Sequence, residues 1–383
     1  YVSRVENVGH NELWSLIEIS LRDRSERVIL SPRRERISEI NVLAEDRALL
    51  VNQEDPFSRL NQIYLVDPAT GTETRITNDL NSYFGLSVSQ DGRSIVTARR
   101  SSATDIWVGE PGNESSFRKI TPEPTAYLKA VWAASDVVVY DAVDNNLPHL
   151  WSVRPDGTGA QQLTPNDTAD YSPEVSPDGS VIVFVSERSG ERKIWRMNID
   201  GSSPVMISDV DGPAVEPRFS PDGGHVMYKW HKGDGEVLVT ATLDGRIVKE
   251  EPLFSDTYWR LSPDGRHVVY ALSEDGRRAS RLAVRRLDAA EPHQFLDISP
   301  ISLLKWMPDG NSLIYRLREG GEDPFATVWH HDLTTGRRRV FYSAKPDNIF
   351  DVAVSPDNKR IAAVRGKLRT DAVMLTKIES QRK

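Results

Sequence analysis

The sequence predicts an all-β fold: a single β-propeller of four-stranded antiparallel blades, eight of them, with seven as the alternative. Three observations carry this. A turn-forming tetrapeptide recurs along most of the chain at a period of 42 to 48 residues, enough for four short strands. Segments between the turns alternate apolar and polar residues, the period of half-buried strands. No segment keeps a 3.6-residue apolar period, so helix content should be very low.

Each unit carries the tetrapeptide after its first strand. It reads Val175-Ser176-Pro177-Asp178-Gly179, Phe219-Ser220-Pro221-Asp222-Gly223 and Leu261-Ser262-Pro263-Asp264-Gly265. Looser copies stand at Val88-Ser89-Gln90-Asp91-Gly92, Trp306-Met307-Pro308-Asp309-Gly310 and Val354-Ser355-Pro356-Asp357-Asn358, and degenerate ones at Glu45-Asp46-Arg47 and near Trp132-Ala133-Ala134-Ser135. Proline presets φ near −65°, aspartate accepts from nearby backbone N–H groups, and glycine takes the position with φ above zero. The tetrapeptide therefore builds the hairpin between the first two strands of a blade. A ring of metal-binding or acidic aspartates is the lesser reading, because turn formation accounts for all copies at once.

An alternating second strand follows, as in Val181-Ile-Val-Phe-Val185 and His267-Val-Val-Tyr-Ala271, then a charged loop. The third strand carries an aromatic in a fixed slot (Trp14, Tyr64, Trp107, Trp151, Trp195, Trp329), expected to pack on the next blade. A turn rich in Asp, Gly, Thr or Asn leads to the fourth strand, which ends in Ile76-Thr77, Ile120-Thr121, Leu163-Thr164 or Ile207-Ser208. Seven such units run whole over residues 37–344. Residues 1–36 match outer strands and residues 345–383 inner ones. A blade shared between the termini would close the ring and remove both open edges. One domain, residues 1–383, is expected.

Composition bounds the function. With 48 Lys and Arg against 56 Asp and Glu the formal charge is −8, which argues against a dedicated nucleic-acid binder. At 38% hydrophobic and 27% charged residues the chain is ordinary for a globular protein. It has no cysteine, hence no disulfide, thiolate metal site or cysteine nucleophile. No window approaches the ~20 apolar residues of a spanning helix. Residue 1 starts no signal-peptide pattern, so any targeting or anchoring segment is expected outside this sequence.

Motifs of chemistry are scarce. There is no Gly-x-Ser-x-Gly elbow, no His-Glu-x-x-His and no Walker loop. Eight histidines (His10, His149, His225, His231, His267, His293, His330, His331) scatter over different units, and the adjacent pair His330-His331 points to opposite faces of a strand. Asp209-Val-Asp211-Gly212 lacks the downstream glutamate of a calcium loop and reads as an acidic turn. No metal, cofactor or catalytic residue is expected.

The anchor with its apolar strands, the Ile-Trp of the third strand and the Leu-Thr or Ile-Ser closing the fourth resemble the TolB-like propeller repeat. The match is closest over residues 171–223, with Ser186-Glu-Arg-Ser-Gly190 and Lys193-Ile-Trp-Arg-Met197. The last unit, through Ser355-Pro-Asp357, Ala363-Val-Arg-Gly366 and Thr370-Asp371-Ala-Val-Met-Leu375, is similar to the final repeat of sensor propellers fused behind bacterial Ser/Thr kinases or winged-helix regulators. The resemblance implies a binding or protein-interaction role, often periplasmic or otherwise extracytoplasmic. It transfers no catalytic residue.

Two candidate binding features remain. Two positions before each anchor serine, on the innermost strands, stand Ser87, Ala130, Glu174, Arg218, Arg260, Lys305 and Ala353, with Asp351 just beyond. Arg218, Arg260 and Lys305 thus put cations at one level of three consecutive blades, where they could hold carboxylate or phosphate. Pairing between blades, Glu174 with Arg218, is the competing reading. Glu-Asp-Pro-Phe occurs twice, ending at Phe57 and Phe325, and the two phenylalanines could form a lip that holds a partner or simply cover blade edges. Charged loops are expected at Arg99-Arg100, Glu187-Arg188, His231-Lys232, Glu274-Asp275, Arg318-Glu319 and Lys367-Leu-Arg369. The reading is a monomeric, non-enzymatic propeller that binds a protein, a peptide or a small anion. It would be the sensor or scaffold module of a larger bacterial protein. The alternative is an enzyme, either a propeller lyase or hydrolase or the propeller half of a prolyl-oligopeptidase-type peptidase.

Overall fold

The computed structural model describes residues 1–8, 11–33, 35–43, 48–55, 60–77, 79, 81–122, 126–133, 136–144, 147–165, 167–232, 235–252, 259–272, 281–289, 292, 294–298, 300–317 and 325–376. The regular elements are strands throughout, paired antiparallel, and four-stranded meanders recur as the repeat requires. The strands group into two compact units, residues 103–367 and residues 1–102 with 368–383.

In residues 103–367, blades 1 to 5 are the sheets of residues 126–162, 170–206, 214–252, 259–296 and 300–343. Blade 6 combines Asn348–Val354 and the start of Ile361–Thr376 with the end of Ser94–Glu110 and Asn113–Lys119. Apolar clusters join successive sheets. Val139 and Leu150 pack with Phe184 and Met197, Val183 and Ile194 with Tyr228 and Val239, and Met227 and Leu238 with Trp259 and Tyr270. Val269 and Leu282 meet Leu304 and Tyr315, and Ile314 and Val328 meet Ile349 and Val352. Finally Ile106, Ala362 and Val364 of blade 6 meet Tyr127 and Tyr140 of blade 1, so the ring of this unit closes on itself. Each buried Leu, Ile, Val or Phe contributes about 1.5–3 kcal/mol through its removal from water.

Residues 1–102 with 368–383 form three sheets in succession: residues 2–33, residues 37–75, and Ser82–Val88 with the start of Ser94–Glu110. Leu16 and Leu30 pack on Leu49 and Val51, and Leu50 and Ile63 on Tyr83 and Ile95, with Val373 and Leu375 against the latter group.

The tetrapeptide does what its chemistry predicts. Ser176 Oγ donates to Asp178 Oδ1, both accept the backbone N–H of Ser180, and Gly179 sits at φ +76°. Ser89–Asp91, Ser220–Asp222, Ser262–Asp264 and Ser355–Asp357 repeat the hydroxyl-to-carboxylate bond. Those bonds hold the carboxyls of Asp91, Asp178, Asp222, Asp264 and Asp357 below their ordinary value. The slot aromatics are structural too, but Trp151, Trp195 and Trp329 pack into clusters shared with the preceding sheet, not the following one. Arg188, Arg338 and Arg365 cover the rings of Trp195, Trp329 and Trp107 at 4.1–5.0 Å.

Closure differs from expectation. Residues 1–36 do not share a sheet with the C-terminal strands; they form a three-stranded sheet of their own. Ile361–Thr376 pairs instead with Ser94–Glu110. Six sheets therefore complete the ring of residues 103–367, where the repeat count had put seven or eight around one ring. The cause lies at two expected hairpins. Arg99-Arg100 and Lys367-Leu-Arg369 are not loops; they lie inside two uninterrupted strands of 17 and 16 residues. Neither segment offers proline, and the nearby Gly366 has no positive φ. Its missing side chain serves another need, since a Cβ there would stand 1.9 Å from the carbonyl oxygen of Ala103. Arg365 ties this pairing, reaching Glu114 at 2.7 Å.

Candidate functional site

The innermost strands of residues 103–367 surround a cavity of about 680 Å³. Its wall shows two tiers. Val131, Glu174, Arg218, Arg260, Lys305 and Ala353 occupy equivalent positions of the six innermost strands, and Lys129, Ser172, Glu216, Leu303 and Asp351 stand two residues earlier. Between the tiers the first strands of blades 2 and 3 carry bulges, with Ser172 and Glu216 at φ +56°. Bulges of this kind re-aim the side chains beside them.

Five of the predicted residues, Glu174, Arg218, Arg260, Lys305 and Asp351, therefore line one cavity. Ala130 does not. It is fully buried, and Val131 takes its place, because the degenerate turn of blade 1 shifts the register by one. Lys129 is the lining cation the spacing missed, for the same reason; two positions before Val131 it matches Asp351 of blade 6. Ser87 belongs to the other unit. Phe57 lies outside the described residues. Phe325 is 42% exposed, its ring 5.7 Å from the guanidinium of Arg316. Of the expected loop charges, Arg188 is bound to Asp170 and Lys232 to Glu250. Glu274-Asp275 and Arg318-Glu319 lie outside the described residues. In the acidic turn at residues 209–212, the carbonyls of Val210 and Gly212 accept from the Lys193 ammonium.

The charges of the cavity are mostly paired across blades. Glu174 Oε1 accepts from Lys129 Nζ at 2.8 Å and from Arg218 Nη1, and Asp351 Oδ1 meets Lys305 Nζ at 2.6 Å. Asp351 Oδ2 also accepts the backbone N–H of Ala130 at 3.2 Å. Asp141 holds the bulge of blade 2, accepting from the N–H groups of Lys129 and Ser172. Burial would raise the Glu174 carboxyl, but Lys129 and Arg218 outweigh it and hold the group down at about 2. Burial also brings the Lys129 ammonium down to about 8, against the pull of Glu174.

Arg260 is the exception. Its Nη1 donates to the backbone carbonyl of Trp259 at 2.7 Å, and among the described residues no carboxylate lies within ion-pair distance. Burial, then the like charge of Arg218, brings its guanidinium down to about 10. Arg218 is anchored the same way, through Nη1 to the carbonyl of Pro217 at 2.9 Å. Trp306 fixes the backbone of Arg260 from the neighbouring blade, its Nε1 donating to the carbonyl of Arg260 at 2.9 Å. Four lining cations, Lys129, Arg218, Arg260 and Lys305, face three lining carboxylates, Glu174, Glu216 and Asp351. One positive charge is left over in a protein whose formal charge is −8. Among the described residues no group of three or more His, Cys, Asp or Glu could hold a metal ion.

Residues 48–217 match the TolB beta propeller domain (PD40). Over these residues the chain resembles a TolB-like β-propeller. Residues 250–369 match the N-terminal beta-propeller domain of prolyl oligopeptidase. No curated protein sequence matches the chain. Solved structures similar to this TolB-like propeller include TolB from Acinetobacter baumannii (12% identity, 88% of this chain and 80% of that one, TM-score 0.48). Oligogalacturonate lyase from Vibrio parahaemolyticus is another (15% identity, 94% and 98% coverage, TM-score 0.44). No helix of the described residues is long and apolar enough to cross a membrane.

Proposed function

We propose that this TolB-like propeller is a binding module, the sensor or scaffold part of a larger extracytoplasmic bacterial protein, which seats an anionic group of a protein or peptide partner in the cavity of residues 103–367. The observation that carries the reading is Arg260: a guanidinium in a concave site, held by the backbone carbonyl of Trp259, with no carboxylate within ion-pair distance among the described residues. Buried cations are ordinarily paired, so an unpaired one, fixed in position, favours an incoming anion. The test is retention of envelope proteins on the immobilised chain. Arg218→Ala with Arg260→Ala should abolish the retention of at least one protein held by the parent while leaving the melting temperature nearly unchanged. An identical retained set would sink the proposal, and loss of fold would assign both arginines to blade pairing.

The match of residues 250–369 to a peptidase propeller favours a second reading, in which the ring gates a hydrolase domain carried elsewhere in a longer protein. A reading frame that encodes an α/β-hydrolase segment with a Gly-x-Ser-x-Gly elbow would establish it.

A further inference from the structure

The charge and the wall of this cavity say more about what would enter it, on the premise that the cavity is the binding site. Polar and apolar side chains interleave along the wall. Leu261, Leu303, Leu304, Trp306 and Phe350 face the same space as Arg218 and Arg260. A carboxylate or phosphate occupies only a small part of about 680 Å³. A bare anion would therefore leave the apolar wall in water. The excess of one positive charge is neutralised by a monoanion, whereas a dianion would need a second free cation, and Lys305 and Lys129 are engaged by Asp351 and Glu174. Both arginines spend Nη1 on a backbone carbonyl, which orients each guanidinium and leaves the Nε and Nη2 edge of Arg260 without a partner among the described residues. That edge presents two parallel donors, the geometry that fits the two oxygens of one carboxylate.

We propose that the cavity of residues 103–367 takes a single carboxylate carried on an apolar body, with Arg260 gripping the carboxylate, Arg218 adding charge beside it, and Leu261, Trp306 and Phe350 covering the body. An apolar C-terminal residue of a peptide and a free monocarboxylic acid share this chemistry.

Calorimetric titration of the full chain at neutral pH and low salt tests it, with 3-phenylpropionate, its neutral amide, inorganic phosphate, and the peptide Gly-Gly-Phe as free acid and as amide. Each acid is expected to bind at least ten-fold tighter than its amide, and at least one of them ten-fold tighter than phosphate. Binding of Gly-Gly-Phe alone identifies the source as a peptide terminus; stronger binding of 3-phenylpropionate identifies a small acid. Arg260→Lys, which keeps the charge and loses the fork, should weaken the acids ten-fold or more. Glu216→Gln, which raises the excess charge without touching Arg260, should tighten them several-fold. Amides or phosphate binding as well as the acids, or tightening absent in Glu216→Gln, would overturn the inference. If no acid binds while protein retention still depends on Arg260, the carboxylate class is wrong and the partner reading stands. If acids bind and retention ignores Arg260, the partner reading falls alone.

Discussion

Glu174 shows how a single carboxylate can hold an inner wall together. It lies between Lys129 of one blade and Arg218 of the next, and both keep it ionised. Glu174→Gln removes the charge that offsets two partly buried cations, and urea denaturation should register a loss of about 1.5–3 kcal/mol, the usual worth of hydrogen bonds to charged groups. Because its folded pKa of about 2 lies below the ordinary 4.5, that contribution is present above pH 4.5 and drains away as pH falls toward 2. The turn aspartates behave alike. Asp91, Asp178, Asp222, Asp264 and Asp357 all sit below 3.8, so stability from them is present above that pH and fades beneath it. A melting-temperature series should stay flat down to about pH 4 and then drop, and replacing the anchor serines by alanine should flatten the acid drop. An unchanged acid limb in such a variant would show that the hydroxyl bonds do not set the shift.

Among strands, the informative pair is Ser94–Glu110 with Ile361–Thr376. Hairpin chemistry is strong at every Ser-Pro-Asp-Gly, since each copy carries its own turn instructions in four residues. Arg99-Arg100 and Lys367-Leu-Arg369 stand where the repeat leads one to expect charged loops, but nothing in their own residues bends a chain. Gly366 was the available clue: a glycine outside any turn signal marks a close backbone approach as readily as a bend. Gly366→Val should therefore break the pairing around Ala103, at a cost of about 1–3 kcal/mol typical of overpacking, with lost amide protection in residues 104–110. Retained protection in that segment would mean the two strands are joined by other contacts.

For the molecule as a whole, the six apolar interfaces that close the ring of residues 103–367 use no residue from 1–102. A chain of residues 103–367 alone should then fold with a single cooperative transition and an all-strand circular dichroism spectrum; a molten or aggregated product would show that closure needs more. What the sequence by itself determined was local: the meander, its period, the turns, and the level on each inner strand that bears Glu174, Arg218, Arg260 and Lys305. These follow from period-2 alternation and turn residues, which act over a few positions. Only the tertiary structure decided which sheets share a ring, that Lys129 and Val131 displace Ala130 in the wall, and that Arg260 alone among the cavity's cations lacks a carboxylate partner among the described residues. Strand partners far apart in the chain are chosen by packing and by backbone hydrogen bonds that every residue offers equally, so they leave almost no mark in the order of side chains.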